Sequence, residues 1–354
     1  MKSPVFIAGG LAALALPALL SGCSGSASPG GAPALPATTA DRHQGSSQPH
    51  LRWISPDAAK QRNLLFVTDP GSEQVFIFSA DLQLKGAITG FNTPKGACAD
   101  KSGNVWIVDW ERAVIYEFSH TGQSLGKISG VTGFPTGCAV DPTTGNLAVT
   151  TNPGSASPGP GELMLYPKAT GSPTAITDPI VFTYSFAAYD AAGNLYFDGT
   201  DGNGNFTLDK VPTGSTTAQS IQLVNGAIYQ PGMVQSNPKG VNELLITDMK
   251  CNDAQTPTTC LDRVGLIISG YPFAEIIGQV PLKNQSGASV CQMEQGAYLP
   301  PKTFAGPDNE VPCNGSGFSG VGRWAFPAGG SEQFSNYTEG DFTAPFAATW
   351  SVIK

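Results

Sequence analysis

Five oxygen-bearing side chains close five copies of one phrase in this sequence. Asn63-Leu64-Leu65-Phe66-Val67-Thr68-Asp69 ends in Asp69, Asn104-Val105-Trp106-Ile107-Val108-Asp109 in Asp109, and Asn242 to Asp248 in Asp248. The copies that begin Gly145-Asn146 and Gly193-Asn194 run on to Asn152 and Asp198. Brought together, these carboxylates and amide would form a rim suited to a hard cation or a hydroxyl-rich ligand. The same side chains can instead accept backbone N–H bonds inside their own turns, a role that would repeat with the fold. Sequence leaves both readings open.

Asp198 to Asn205 alternates oxygen side chains with glycine, a composition that calcium loops share, and Ca2+ is the one cofactor it suggests. The stretch departs from an EF-hand. Phe206 stands where glycine is required, and no glutamate closes the span that would start at Asp201. A plain Gly/Asn turn is the alternative. Trp110, beside Asp109, can stack on a sugar or a peptide, or pack over its own hairpin. Histidine chemistry has little to work with, because His43 and His50 precede the repeats and His120 falls in a turn at the opposite end of the hairpins. Nucleophile-elbow, phosphate-loop and dinucleotide patterns are missing.

The elements that must position these residues are strands. Residues 93–130 read as a four-stranded antiparallel unit, with period-two apolar runs separated by Gly, Asn and Asp turns. The leading Asn of the phrase recurs after 41, 42, 48 and 48 residues. A period near forty with four strands per unit predicts the blades of an all-β propeller. Counting innermost strands predicts six, the sixth and least regular running from about Ala288 to Gly340. Blade one lacks an N-terminal innermost strand, and Ala344 to Ser351 aligns with Thr93 to Asp100, so the C-terminal strand is expected to close the ring on the N-terminal blade. Extra residues fall between the second and third strands of blades three to five: Asn152–Gly161, Asp198–Asn205 and Met249–Arg263. Insertions gathered on one face point to a binding face.

These units resemble the NHL repeat, whose pattern runs Pro-x-Gly-(apolar)-Ala-Val-Asp, then Gly-Asn-(apolar)-Tyr-Val-Ala-Asp. The resemblance covers about residues 60–354. It is also to the SMP-30/gluconolactonase-like six-bladed enzymes, which implies a divalent metal in the channel and hydrolysis of a lactone. Their Glu-Gly-Pro ligand motif has no counterpart near residues 52–63. Streptogramin-lyase-like relatives use a histidine base, for which no suitably placed residue is seen.

The N-terminus follows different rules. Lys2, an apolar stretch from Val5 to Leu20, and then Leu20-Ser21-Gly22-Cys23 resemble a bacterial lipoprotein signal, with Cys23 as the implied lipidation site. An ordinary secretory signal or a membrane anchor is the alternative. Residues 1–23 are thus expected to be a signal peptide and 24–50 a flexible Ser/Gly/Pro/Ala tether, leaving 51–354 for the propeller. Ser24 in place of aspartate after the lipidated position favours the outer membrane in a two-membrane bacterium. Six cysteines remain, an even number that suggests disulfides in an exported chain. Repeat alignment favours an inter-blade Cys98–Cys138 bridge. Cys251–Cys260 would be a local staple, with Cys291–Cys313 left by elimination and free buried thiols as the alternative.

A net charge of −8 without any Lys/Arg cluster argues against nucleic acid. The expected protein is a monomer held to the membrane by its N-terminal lipid. It would bind a ligand, a carbohydrate or an envelope protein on the insertion face. A metal-dependent hydrolase with ligands among Asp69, Asp109, Asn152, Asp198 and Asp248 is the second reading. A structural envelope protein, its channel plugged by apolar side chains, is the third.

Overall fold

The repeated phrase forms the second strand of blades one to five, and its side chains are buried on both faces. Leu64 to Asp69 and Val105 to Asp109 are buried at every position. Alternation disappears because each blade is sandwiched between two others, so both faces of an inner strand meet apolar neighbours. The outermost strand of blade two, Ser124–Ser129, is largely exposed. In the computed structural model the described residues are 48–154, 159–237, 242–251, 258–267, 272–309, 319–337 and 342–354. Cys23 and the tether up to residue 47 lie outside them.

Six sheets form the ring, four of them four-stranded meanders. Six apolar clusters hold it together, one at each blade interface. One joins Phe66 and Ile77 of blade one to Ile107 and Tyr116 of blade two, and another joins Leu65 and Phe78 to Ala305 and Val321 of blade six. Each fully buried Leu, Ile or Phe in such a cluster contributes roughly 1.5–3 kcal/mol. Closure is as expected: Asn63–Asp69 pairs antiparallel with Ala347–Val352, Leu64 opposite Ser351 and Val67 opposite Ala348. His120 of blade two secures the seam, with Nε2 2.8 Å from the Gln61 carbonyl oxygen and Nδ1 2.7 Å from Ser351 Oγ.

Three features depart from the simple repeat. His50–Ile54 adds a fifth, outermost strand to blade one by pairing with Leu84–Thr89. Its half-exposed edge position leaves no alternation for sequence reasoning to detect. Blade five carries Gln222–Asn225 as an outer strand parallel to Phe273–Lys283. In blade four the extra residues do not make a loop. Leu195–Asp201 simply continues and pairs with Phe206–Val211 as far as Thr200 opposite Phe206, so a longer hairpin stands out on that face.

Two disulfides join cysteines among the described residues. Cys98 and Cys138, with Cα atoms 5.6 Å apart, join the innermost strands of blades two and three. Cys251 and Cys260, 5.5 Å apart, close the blade-five insertion, whose residues 252–257 lie outside the described ones. Cys291 is also disulfide-bonded, while its expected partner Cys313 lies outside the described residues. Blade packing further explains the Pro-x-Gly glycine. A Cβ on Gly96 would sit 2.3 Å from the Thr136 carbonyl oxygen of the next blade, so only glycine allows that approach.

Candidate functional site at the channel mouth

The aspartates of the expected rim are turned into the protein. Asp109 accepts from the backbone N–H groups of Asn92 (2.9 Å) and Thr93 (3.1 Å). Asp248 does the same for Tyr229 (3.0 Å) and Gln230 (3.1 Å), and Asp69 for Thr343 (2.8 Å) and Ala344 (2.9 Å). In each case the carboxylate pins the chain where it leads into the innermost strand of its own blade. Asp198 bridges two blades, accepting from Phe186 N (2.9 Å) and Gly232 N (3.0 Å). Burial pushes the Asp198 carboxyl well up, against the pull of those two N–H donors. Thr150 and Thr247 take the equivalent place in blades three and five, where each hydroxyl donates to a carbonyl of the next blade, Ser185 or Glu294. The recurring acid is therefore explained by strand anchoring.

Asp201 has a local task as well. Its carboxylate accepts from Asn203 N (2.8 Å), Asn205 N (2.9 Å) and Asn205 Nδ2 (2.9 Å). Asp100 and Asp190 make the same bonds in Asp-x-x-Gly-Asn turns elsewhere in the ring. Asp201–Asn205 is a further copy of that turn, capping the long blade-four hairpin. Among the described residues no cluster of three or more His, Cys, Asp or Glu side chains is arranged to hold a metal ion.

What does converge is a different set. Phe346, Lys95, Thr136, Ser185 and Glu294 occupy one register position, at a break in the pairing of the innermost strand in blades two, three and four and just ahead of that strand in blades one and six. Blade five has Gly232 there, where a Cβ would meet Thr247 Oγ1 at 2.3 Å. The five side chains line a depression of about 410 Å³ at the insertion-face end of the bore. Asn152 and Thr200, at the ends of the second strands of blades three and four, and Lys250, in the connection that follows the second strand of blade five, form part of its wall. Of the seven expected rim residues, only Asn152 lines this mouth.

Its charges are few and partly desolvated. Lys95 Nζ lies 4.4 Å from the ring centre of Trp110 and 5.1 Å from that of Phe346, within cation–π range of both. Burial draws the Lys95 ammonium below the usual lysine range, with Glu294 and Glu111 opposing. Burial raises Glu294, against a hydrogen bond from Gln292 and the attraction of Lys95. Trp110 is stacked on Phe134 (4.2 Å between ring centres), so this ring packs between hairpins and presents its other side to Lys95.

Deeper in the bore, Gln295 reaches from blade six to blade two, accepting from Ala97 N (3.1 Å) and donating to the Ala97 carbonyl (2.6 Å). Below this rung the bore opens toward the other face as a cavity of about 240 Å³, lined largely by small residues such as Ala97, Ala139, Ala187 and Ala348. It is open rather than filled by bulky apolar side chains. Sequence reasoning passed over Lys95, Thr136, Ser185, Glu294, Phe346 and Gln295. The available signal was the middle residue of Pro-x-Gly, which differs from blade to blade.

Fold and site together define a six-bladed β-propeller with a polar mouth on one face. No family model and no curated protein sequence matches the chain. Solved structures do match it in fold. A chain from a nidogen/laminin complex shares 12% identity at a TM-score of 0.60, covering 82% of this chain and 98% of that one. A protein of unknown function from Bacteroides caccae gives 12% and 0.56, covering 82% and 99%. TolB from Acinetobacter baumannii gives 12% and 0.55, covering 84% and 68%. At this identity the likeness establishes the propeller and leaves the function to the site itself.

Proposed function

We propose that the protein is an exported, lipid-anchored binding scaffold that takes its ligand at the mouth on the insertion face. One observation carries this reading. Where the fold needs a residue, it repeats it, as with the anchoring aspartates. At the mouth the same register position holds Phe, Lys, Thr, Ser and Glu in turn. A pseudo-symmetric ring that places five different chemistries around one opening is suited to an asymmetric ligand. Export is supported by the disulfides, which persist in oxidising compartments. Anchoring is supported by Leu20-Ser21-Gly22-Cys23. The hydrolase reading draws on carboxylates already engaged by backbone N–H groups, so binding is the better supported function.

Two experiments test the two parts. Cells fed labelled palmitate should label the wild-type chain but not Cys23→Ala; equal labelling of both would overturn the anchor. For the mouth, Thr136→Trp fills the opening from a position that holds no anchoring bond across blades. On arrays of oligosaccharides and peptides, the full-length chain in detergent should lose at least about tenfold in captured ligand on this change, the cost of blocking a buried contact surface. An unchanged capture profile at an unchanged melting temperature would place the ligand elsewhere.

A further inference from the structure

We propose that the mouth recognises a carboxylate-bearing saccharide, with Lys95 holding the carboxylate; this rests on the mouth being the ligand site. The Lys95 ammonium has three N–H donors. Among the described residues it packs against two rings and feels the charges of Glu294 and Glu111, but it makes no direct ion pair: those found there, Lys85–Asp57, Arg112–Asp109 and Arg263–Glu243, do not include it. A half-buried cation flanked by two rings, with its donors unused, is poised for an anion. A ligand carboxylate would replace, with charge-assisted hydrogen bonds, the bonds to water that burial removes.

The surrounding charge agrees. In a chain with 27 acidic and 19 basic residues, the charged groups lining the mouth are Lys95, Lys250 and Glu294. The lining thus carries one more cation than anion on an acidic protein, a balance that favours a negatively charged ligand and that Glu111, near Lys95, reduces.

The rest of the lining selects the kind of anion. Thr136, Ser185, Thr200, Asn152 and Gln230 supply hydroxyls and amides, while Phe346 and Tyr229 supply ring faces. Hydrogen-bonding groups beside aromatic faces match the edges and faces of a pyranose. The lining offers little to an aliphatic side chain, since Pro231 is its main aliphatic contribution. At about 410 Å³ the depression falls within the roughly 300–1,000 Å³ typical of small-molecule sites.

The test is calorimetric titration of the full-length chain in detergent with uronate- and sialate-terminated oligosaccharides and their neutral counterparts. At least one acidic member should bind about tenfold more tightly than its neutral counterpart, as a charge-assisted bond predicts. Lys95→Gln should erase that preference while leaving neutral binding in place, and Lys95→Arg should keep it. Melting temperatures of both variants separate a lost contact from a lost fold. Equal affinity for acidic and neutral members, a preference that survives in a folded Lys95→Gln, or no acidic binder at all would each overturn the assignment. In those cases the mouth reading still stands if array capture remains sensitive to Thr136→Trp. If capture is insensitive as well, both fall.

Discussion

Deleting residues 347–354 is expected to abolish the cooperative fold rather than merely weaken it. The closing strand makes six register pairs with Asn63–Thr68, so its loss leaves the inner edge of blade one without its partner. It also removes Trp350, which is 6% exposed, packs with Leu65, Phe78 and Val321, and donates its indole N–H to the Ala297 carbonyl (3.1 Å). Truncating a buried Trp alone costs about 3–5 kcal/mol. A domain's whole stability is about 5–15 kcal/mol, and the deletion adds the unpaired backbone and the partner lost to His120. Near-UV circular dichroism and a thermal melt of the shortened chain should show no cooperative transition. A cooperative melt within a few degrees of wild type would mean that the ring does not depend on this seam.

The second large effect is that the propeller should be more stable near pH 5 than near pH 8. Asp209 and Asp262 occupy the same third-strand position in blades four and five, and both are fully buried. Each has one carboxylate oxygen, Oδ2, without a hydrogen-bond partner. Burial pushes Asp209 up to about 7, against a hydrogen bond from Ser220 and with Asp178 adding to the rise. Burial likewise pushes Asp262 up to about 7, with Gln279 opposing and Asp248 adding. Both folded-state values lie above the unfolded value of about 3.9, so the folded state binds more protons between them. Their contribution is therefore complete below about pH 4 and is lost as pH rises through about 7. About two of the roughly three pH units between those values fall between pH 5 and 8, which corresponds to roughly 3 kcal/mol for each group over that interval.

Other groups, His120 and Asp141 among them, run the other way. Burial lowers His120, which costs stability as pH falls below its unfolded value of about 6.5. Asp141 is held low by Thr143 and Thr144 against its burial, and acts only at more acidic pH. Chemical denaturation across pH 5 to 8 checks the balance, with Asp209→Asn/Asp262→Asn as the comparison. The double variant should gain stability near pH 8 and lose part of the slope, the remainder coming from Asp198, Asp248 and Glu294, which burial also raises. A wild-type chain that is at least as stable near pH 8, with a double variant that follows it, would refute the prediction.

Much of the architecture could be read from the chain because propeller blades are local objects. A blade is one run of about forty residues whose hairpins are specified by nearby Asn, Gly and Asp, so the phrase ending in Asp69 or Asp109 marks its own strand. Closure by Ala344–Ser351 was visible for the same reason, as a repeat fragment displaced to the other end. The Cys98–Cys138 pairing followed from register. The outer strand His50–Ile54 was not visible, because its partner lies across a turn region and its exposure leaves no period. The irregular, short innermost strand of blade six, Ala297–Leu299, left its limits open as well.

The site divides along the same line. Sequence alone determined the number of blades, the face carrying the extra residues and the recurring acids, since each depends on neighbours within one repeat. Only the tertiary structure decided what those acids do and which residues meet. Asp69, Asp109, Asp198 and Asp248 look alike as letters, yet their roles depend on where their oxygens point, and they point at strand-leading N–H groups. Lys95, Thr136, Ser185, Glu294 and Phe346 stand far apart along the chain and share no residue type. Ring closure alone brings them around one opening, because a propeller converts equal register into a common radius and height.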